Sequence, residues 1–193
     1  MANTEDLRYV RTETAIRAAF IDLAAHGPVA SVSASAVCKQ AGISRNAFYL
    51  HYSGVAQLYA TLVSELVEDV RAESLASAKR RAATGDDQAF YELLLSSIAR
   101  HEDMLRVLLP ADDGSLSKQL AEGMEQAFLD ASLIMSNRGE TFENRLRCSY
   151  AGWAVVGFVV RWIQGTDESL SCGLDCFREL HACPVESSAN YLL

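Results

Sequence analysis

The chain is short of the features that would place it in most functional classes. It has only three prolines in 193 residues, so long stretches carry nothing that breaks a helix. Runs of alternating β-branched residues are few, while Ala, Leu and Glu are frequent, which predicts an all-α fold. It lacks a basic segment leading into an apolar run at its start, as a secretory signal would need. Its longest uncharged apolar stretch, between Arg147 and Arg161, is 13 residues. A bilayer needs about 20. A soluble, cytoplasmic protein is therefore expected. The cysteines number five, an odd count that points to reduced thiols rather than a disulfide framework.

Catalytic signatures are missing as well. Gly42-Ile43-Ser44-Arg45-Asn46 opens like a nucleophile elbow but ends in Asn and follows a helical pattern rather than a strand. His101-Glu102 opens like a zincin, yet Leu105 stands where the second His belongs. No glycine-rich phosphate loop occurs, and His26, His51, His101 and His181 are scattered. Cys172 and Cys176 lie one helical turn apart, with His181 and Cys183 close behind, but this is no recognised zinc spacing. The alternative is small apolar fillers on a buried helix. The sequence thus predicts a non-enzyme without cofactor or metal.

Positive charge is also scarce overall, with a net of −8, but it is unevenly spread. Residues 1–60 hold five Lys/Arg and four Asp/Glu, a net of +1, whereas residues 61–193 hold 12 and 21, a net of −9. The acid lies in the body of the chain and spares its beginning. That beginning contains the most informative stretch, Val32 to Tyr52. Ser33 can cap a short helix that turns Val37 and Ala41 inward. Gly42 follows where a chain leaving a helix needs a positive φ, and Ile43 plugs the angle. Ser44 can cap a second helix whose first turn is Arg45-Asn46-Ala47. Phe48 and Tyr52 share its inner face, and Arg45, Asn46 and Tyr49 lie mostly on the outer one. Arg and Asn on the first turn suit a DNA major groove. An ordinary corner between two helices has the same pattern.

The wider context favours DNA. Ile16, Ala19, Phe20, Leu23 and Gly27, followed by the run Ala41 to Tyr52 (AGISRNAFYLHY), make residues 8 to 62 resemble the N-terminal domain of the TetR family of bacterial transcriptional regulators. The resemblance implies a helix-turn-helix head at residues 1–53 and a ligand-binding, dimerising body at 54–193. It implies a homodimer on a palindromic double-stranded DNA operator, acting as a repressor relieved by a small molecule. Arg45 and Asn46 are assigned to base edges or nearby phosphates. Ser33, Lys39, Tyr49 and His51 are assigned to the DNA backbone, with Ser44 at the helix start. Arg11, with Arg8 beside it, is a phosphate contact by its place in the motif. Val55 stands where the family usually carries a phosphate-binding Lys, and Ala47 where it usually carries Thr. The other reading is a dimeric helical module, binding protein or small molecule, that has lost DNA binding.

The body reads as helices over about 55–81, 86–100, 116–135, 141–164 and 168–181, with a break near His101 and a stop at Pro110. The fourth is apolar almost all round and must be buried on more than one side. It resembles the Gly- and Trp-bearing helix that forms the dimer interface in one branch of the family. Tyr150, Trp153, Val156 and Val160 are therefore assigned to the interface, with Leu170, Leu174, Phe177 and Leu180 from the last helix. The resemblance also implies an enclosed effector pocket. Candidate lining comes from Phe90, Tyr91 and Leu94, from His101, Met104 and Leu108, and from Met124, Phe128, Tyr150 and Trp153. Each of these also suits plain core packing. The acidic body favours a neutral or cationic aromatic effector.

Overall fold

The structure, a computed structural model, describes residues 4–85, 87–111, 114–136 and 141–182. These form nine α-helices with no strand among the described residues, so the fold is all-α. In chain order they are α1 (Thr4–Ala25), α2 (Ala34–Ala41), α3 (Arg45–His51), α4 (Val55–Thr84), α5 (Asp87–Ala99), α6 (Glu102–Leu108), α7 (Ser115–Ser136), α8 (Phe142–Gly165) and α9 (Leu174–Ala182). None is long and apolar enough to cross a membrane. The chain divides into two compact units, one of Met1–Glu65 with Val107–Asp113, the other of Leu66–Arg106 with Gly114–Leu193. The division falls inside α4, which continues unbroken from Val55.

In the first unit, Ile16 and Phe20 of α1, Val37 of α2, Phe48 of α3 and Leu58 of α4 are all fully buried. Their spacing along each helix supplies one apolar stripe per element, and burying those stripes together is the main driving force. The turn between α2 and α3 is built as its residues dictate. Ser33 Oγ accepts the Ala36 N–H at 3.2 Å, and Ser44 Oγ accepts the Ala47 N–H at 3.1 Å. Gly42 takes φ 66° and its N–H reaches the Cys38 and Lys39 carbonyls, closing α2. A side chain there would be strained in the left-handed region.

In the second unit, α7 and α8 make the most extensive helix pair. A Cβ placed on Gly152 would lie 2.8 Å from the Ala121 carbonyl oxygen, so the two backbones touch there and only Gly fits. Buried Asn144 ties the far end, donating from Nδ2 to Ser132 Oγ at 2.7 Å. Phe177 of α9 is fully buried, with the Tyr91 ring 6.0 Å away and the Phe158 ring 4.9 Å away.

Chain direction changes at His101, whose N–H closes on the Ile98 carbonyl at 3.0 Å, and α6 starts at Glu102. The last element is not one helix over 168–181: a 3-10 turn at Leu170–Gly173 precedes α9. The cause is Glu102, whose carboxylate takes the Leu170 N–H at 3.0 Å and the Ser169 hydroxyl at 2.8 Å. Arg106 completes the knot, donating to Glu102 at 2.8 Å and to the Thr166 carbonyl at 3.0 Å. Burial would raise the Glu102 pKa, but the bonds from Ser169, Arg106 and Leu170 outweigh it and hold the carboxyl below its usual value.

Candidate nucleic-acid interface

The outer face of α3 is the first candidate site. Phe48 and Tyr52 turn inward. Arg45, Asn46, Tyr49 and Leu50 turn outward and are exposed. At about 100° per residue these four span one face of about 140°. Their exposure follows from the helix's own pattern, since the inward positions anchor it. Ser33 and Ser44 are also exposed. Each uses its oxygen as a cap acceptor, which leaves the O–H donor for an outside phosphate. Lys39 and Arg11 are exposed as well.

His51 does not share this face. It is half-buried and stacks on Tyr9, ring centroids 3.9 Å apart, and its Nδ1 is buried with no hydrogen-bond partner. The reason is helical geometry: position 51 falls about 100° beyond Leu50, on the flank turned towards α1.

Charge in this unit is sorted by pairing. Arg17 of α1 donates from Nη2 to Glu13 at 2.6 Å and to Glu65 at 2.9 Å, with a further bond from Nη1 to Glu65, and from Nε to Tyr52 Oη at 3.2 Å. Tyr52 Oη in turn donates to Glu13 at 3.1 Å. The bond from Arg17 is the main reason that the Glu13 carboxyl sits below its usual value, and the bond to Glu65 leads in holding Arg17 protonated. Two of the unit's acids are thereby neutralised, and Tyr52, which ends α3, is tied to α1. Arg8, Arg11, Lys39 and Arg45 are exposed, and none of them has an ion pair among the described residues. Acid also remains in the unit, since exposed Asp22 holds only the neutral Gln40 among the described residues, so these four bases are an exposed set rather than a net positive charge. The Glu13 and Arg17 pair is readable in the sequence as i, i+4 partners on one helix, but its links to Tyr52 and Glu65 are not, because those residues lie far along the chain and carry no motif.

The second candidate is the outer face of α8. Phe142, Leu146, Tyr150 and Trp153 are all exposed, and Gly157 continues the line. The spacing i, i+4, i+8, i+11, i+15 marks a single stripe. Phe142 and Leu146 were not among the residues assigned to the interface, although that spacing in the sequence would have found them. Of the residues that were, Tyr150, Trp153 and Leu180 are exposed, and Val160 and Leu174 are half-buried. Val156, Leu170 and Phe177 are buried inside their own unit, at 3%, 0% and 0% exposure, so they are core and not surface. Each occupies the opposite side of its helix, facing neighbouring segments of the same chain.

The pocket residues separate in the same way. Leu94, Leu108 and Met124 are buried, and Tyr91, His101, Met104 and Phe128 are half-buried. The Phe90 side chain lies outside the described residues. Tyr150 and Trp153 face outward, so they do not border an interior cavity of their own chain. Cys172 and Cys176 are free and exposed, which overturns their reading as core fillers. The side chain of His181 and the whole of Cys183 lie outside the described residues. Among those that are described, no three His, Cys, Asp or Glu side chains converge as metal ligands would.

No family model matches the sequence, and no curated protein aligns with it. Solved structures do match. The dihydroxyacetone kinase operon activator DhaS superposes with a TM-score of 0.57 at 17% identity, covering 88% of this chain and 93% of its own. The TetR family repressor AlkX of Dietzia sp., implicated in n-alkane biodegradation, superposes with a TM-score of 0.53 at 19% identity, covering 87% and 94%. At such identities the likeness speaks for the fold, and the chain has a TetR-like fold.

Proposed function

We propose that the protein is a TetR-like transcriptional regulator that binds DNA through α3. The observation that carries this is the outward face of Arg45, Asn46, Tyr49 and Leu50, set in a unit whose exposed bases Arg8, Arg11, Lys39 and Arg45 have no ion pair among the described residues. Such a face needs a partner that offers both acceptor-rich base edges and phosphates, which is what a major groove presents. In this reading residues 1–53 are the DNA-binding head and 54–193 the dimerising, effector-binding body. Two copies join through the outer face of α8 together with exposed residues of α9, and the dimer sits on a palindromic operator as a repressor. A small, mainly apolar or aromatic molecule bound in the body favours a dimer geometry that does not fit the operator. A tenfold loss of affinity needs only about 1.4 kcal/mol of coupling. The protein acts in the cytoplasm and is not an enzyme.

The test is a gel shift with the DNA upstream of its own coding sequence, using the full chain and the variants Arg45→Ala and Tyr49→Ala. Specific retardation that both variants weaken supports the reading. Retardation no stronger than with scrambled DNA would reject it, and would leave a dimeric helical module that binds protein or small molecule, a reading that Val55 in place of a basic residue at the start of α4 favours.

A further inference from the structure

Among the described residues of the first unit, Leu50 is the most solvent-exposed large apolar side chain, at 79%, and it lies on the same face as Arg45 and Asn46. Its neighbours along the helix divide this face into two turns. Arg45 and Tyr49 are one turn apart, and so are Asn46 and Leu50, giving a polar front turn and an apolar rear turn. Phe48 and Tyr52, on the other side of the helix, supply its anchorage to the core, so Leu50 contributes nothing to that packing. Four exposed bases of the same unit, Arg8, Arg11, Lys39 and Arg45, have no ion pair among the described residues, which suits a polyanionic partner.

We infer that Leu50 is a specificity-determining residue that reads the 5-methyl group of thymine in the major groove. The inference rests on the proposal that α3 reads DNA. The thymine methyl is the one apolar group that a base pair offers there, and an apolar side chain meets it where a hydrogen-bonding one would leave polar atoms unpaired. Four residues of helix rise about 6 Å, or about two base steps at about 3.4 Å each. The thymine therefore falls within about two base pairs of the base addressed by Asn46. Arg45 and Asn46 supply hydrogen-bond selectivity for purines, and Leu50 adds selection for a methyl that hydrogen bonding cannot see.

The experiment uses the full chain and duplexes enriched by it from a randomised pool. Each thymine of the enriched site is replaced in turn by uracil, which removes the methyl and leaves every hydrogen bond. For the wild type, uracil at one symmetric position should weaken binding about fourfold per half-site, the worth of one methyl taken out of water. Leu50→Ala should bind the thymine and uracil duplexes alike. Leu50→Gln, of similar length but polar, should enrich a site without that thymine. Because Leu50 is exposed, both variants should unfold at the wild-type temperature. A uracil penalty that persists in Leu50→Ala, or a wild type indifferent to uracil at every position, overturns the inference while DNA reading stands. A wild type that enriches no site at all overturns both.

Discussion

The outer faces of α3 and α8 are both exposed, and both lie opposite a well-packed inner face, yet their chemistry differs. That of α3 is short and mixed, with Arg45 and Asn46 ahead of Tyr49 and Leu50. That of α8 is long and apolar along its line, with Phe142, Leu146, Tyr150 and Trp153. A mixed face with free guanidinium and amide groups suits a partner that presents ordered donors and acceptors. A face of large apolar groups suits a surface like itself, as a two-fold dimer provides. The difference teaches that exposure alone does not assign a site; what must be matched is the pattern of polar atoms within it.

The largest expected effect breaks the α8 side of this comparison. Trp153→Asp together with Leu146→Asp should turn a dimer into monomers in sedimentation at micromolar concentration, because an aromatic anchor such as Trp153 is worth about 2 kcal/mol or more and each new carboxylate would be buried without a partner. The fold should survive, since both side chains are exposed in the single chain. A wild type that already sediments as a monomer would remove the dimer proposal. Val156→Asp would not serve, because Val156 is buried and the charge would unfold the chain.

Next in size is the α3 side. Arg45→Ala should cost about 1–3 kcal/mol of affinity for the enriched site and relax its base preference, as loss of one good base contact does. Lys39→Ala should instead weaken all sequences alike and flatten the salt dependence by about one unit of slope. Fluorescence anisotropy over a salt series separates the two. Equal losses on specific and random DNA for Arg45→Ala would move it from base reading to backbone contact.

Two effects on stability, rather than on binding, sharpen the picture of the body that carries the α8 face. Glu102→Gln should destabilise the fold by about 1–3 kcal/mol at neutral pH, because Arg106 and the Leu170 N–H lose a charged acceptor. The sign of its pH dependence follows from the lowered carboxyl pKa. The stabilisation is present above the unfolded-state value, about 4.3, and is lost as the pH falls through the lower folded value. The variant's stability should therefore fall less steeply on the acid side than that of the wild type. Denaturant titrations at several pH values check this, and parallel acid limbs would contradict it. Gly152→Ala should cost about 1–3 kcal/mol, since the new methyl meets the Ala121 backbone. Gly157→Ala, with nothing within 4 Å, is the control and should gain up to about 1 kcal/mol in a monomeric background.

The first unit was legible in detail because its signals are local. Ser33, Gly42, Ser44 and the spacing of Phe48 and Tyr52 each state a cap, a turn or a face within a few residues, and helices α1 to α3 lie close to where those signals put them. The all-α class followed from composition. The pairs Glu13–Arg17 and Glu102–Arg106 are legible as i, i+4 partners, but their links to Glu65 and Leu170 are not, because only the fold brings those residues together. α8 is legible as an apolar helix, but its sequence does not tell its two sides apart: Val156 is buried, whereas the line from Phe142 to Gly157 is the outside. In a helix apolar all round, periodicity does not say which side meets its own chain. The exposure of Leu50 is not legible either, because an apolar residue two positions from both Phe48 and Tyr52 reads as core until its angle on the helix is drawn.

The most direct measurement for the central proposal is hydroxyl-radical footprinting of the wild-type chain on its own upstream DNA. Two protected tracts related by a two-fold axis, with centres about 34–36 Å apart or a multiple of that, are the expected result, and Arg45→Ala should erase both at the same protein concentration. Uniform cleavage at a concentration where the chain is a dimer, or protection that Arg45→Ala leaves unchanged, would contradict DNA reading by α3.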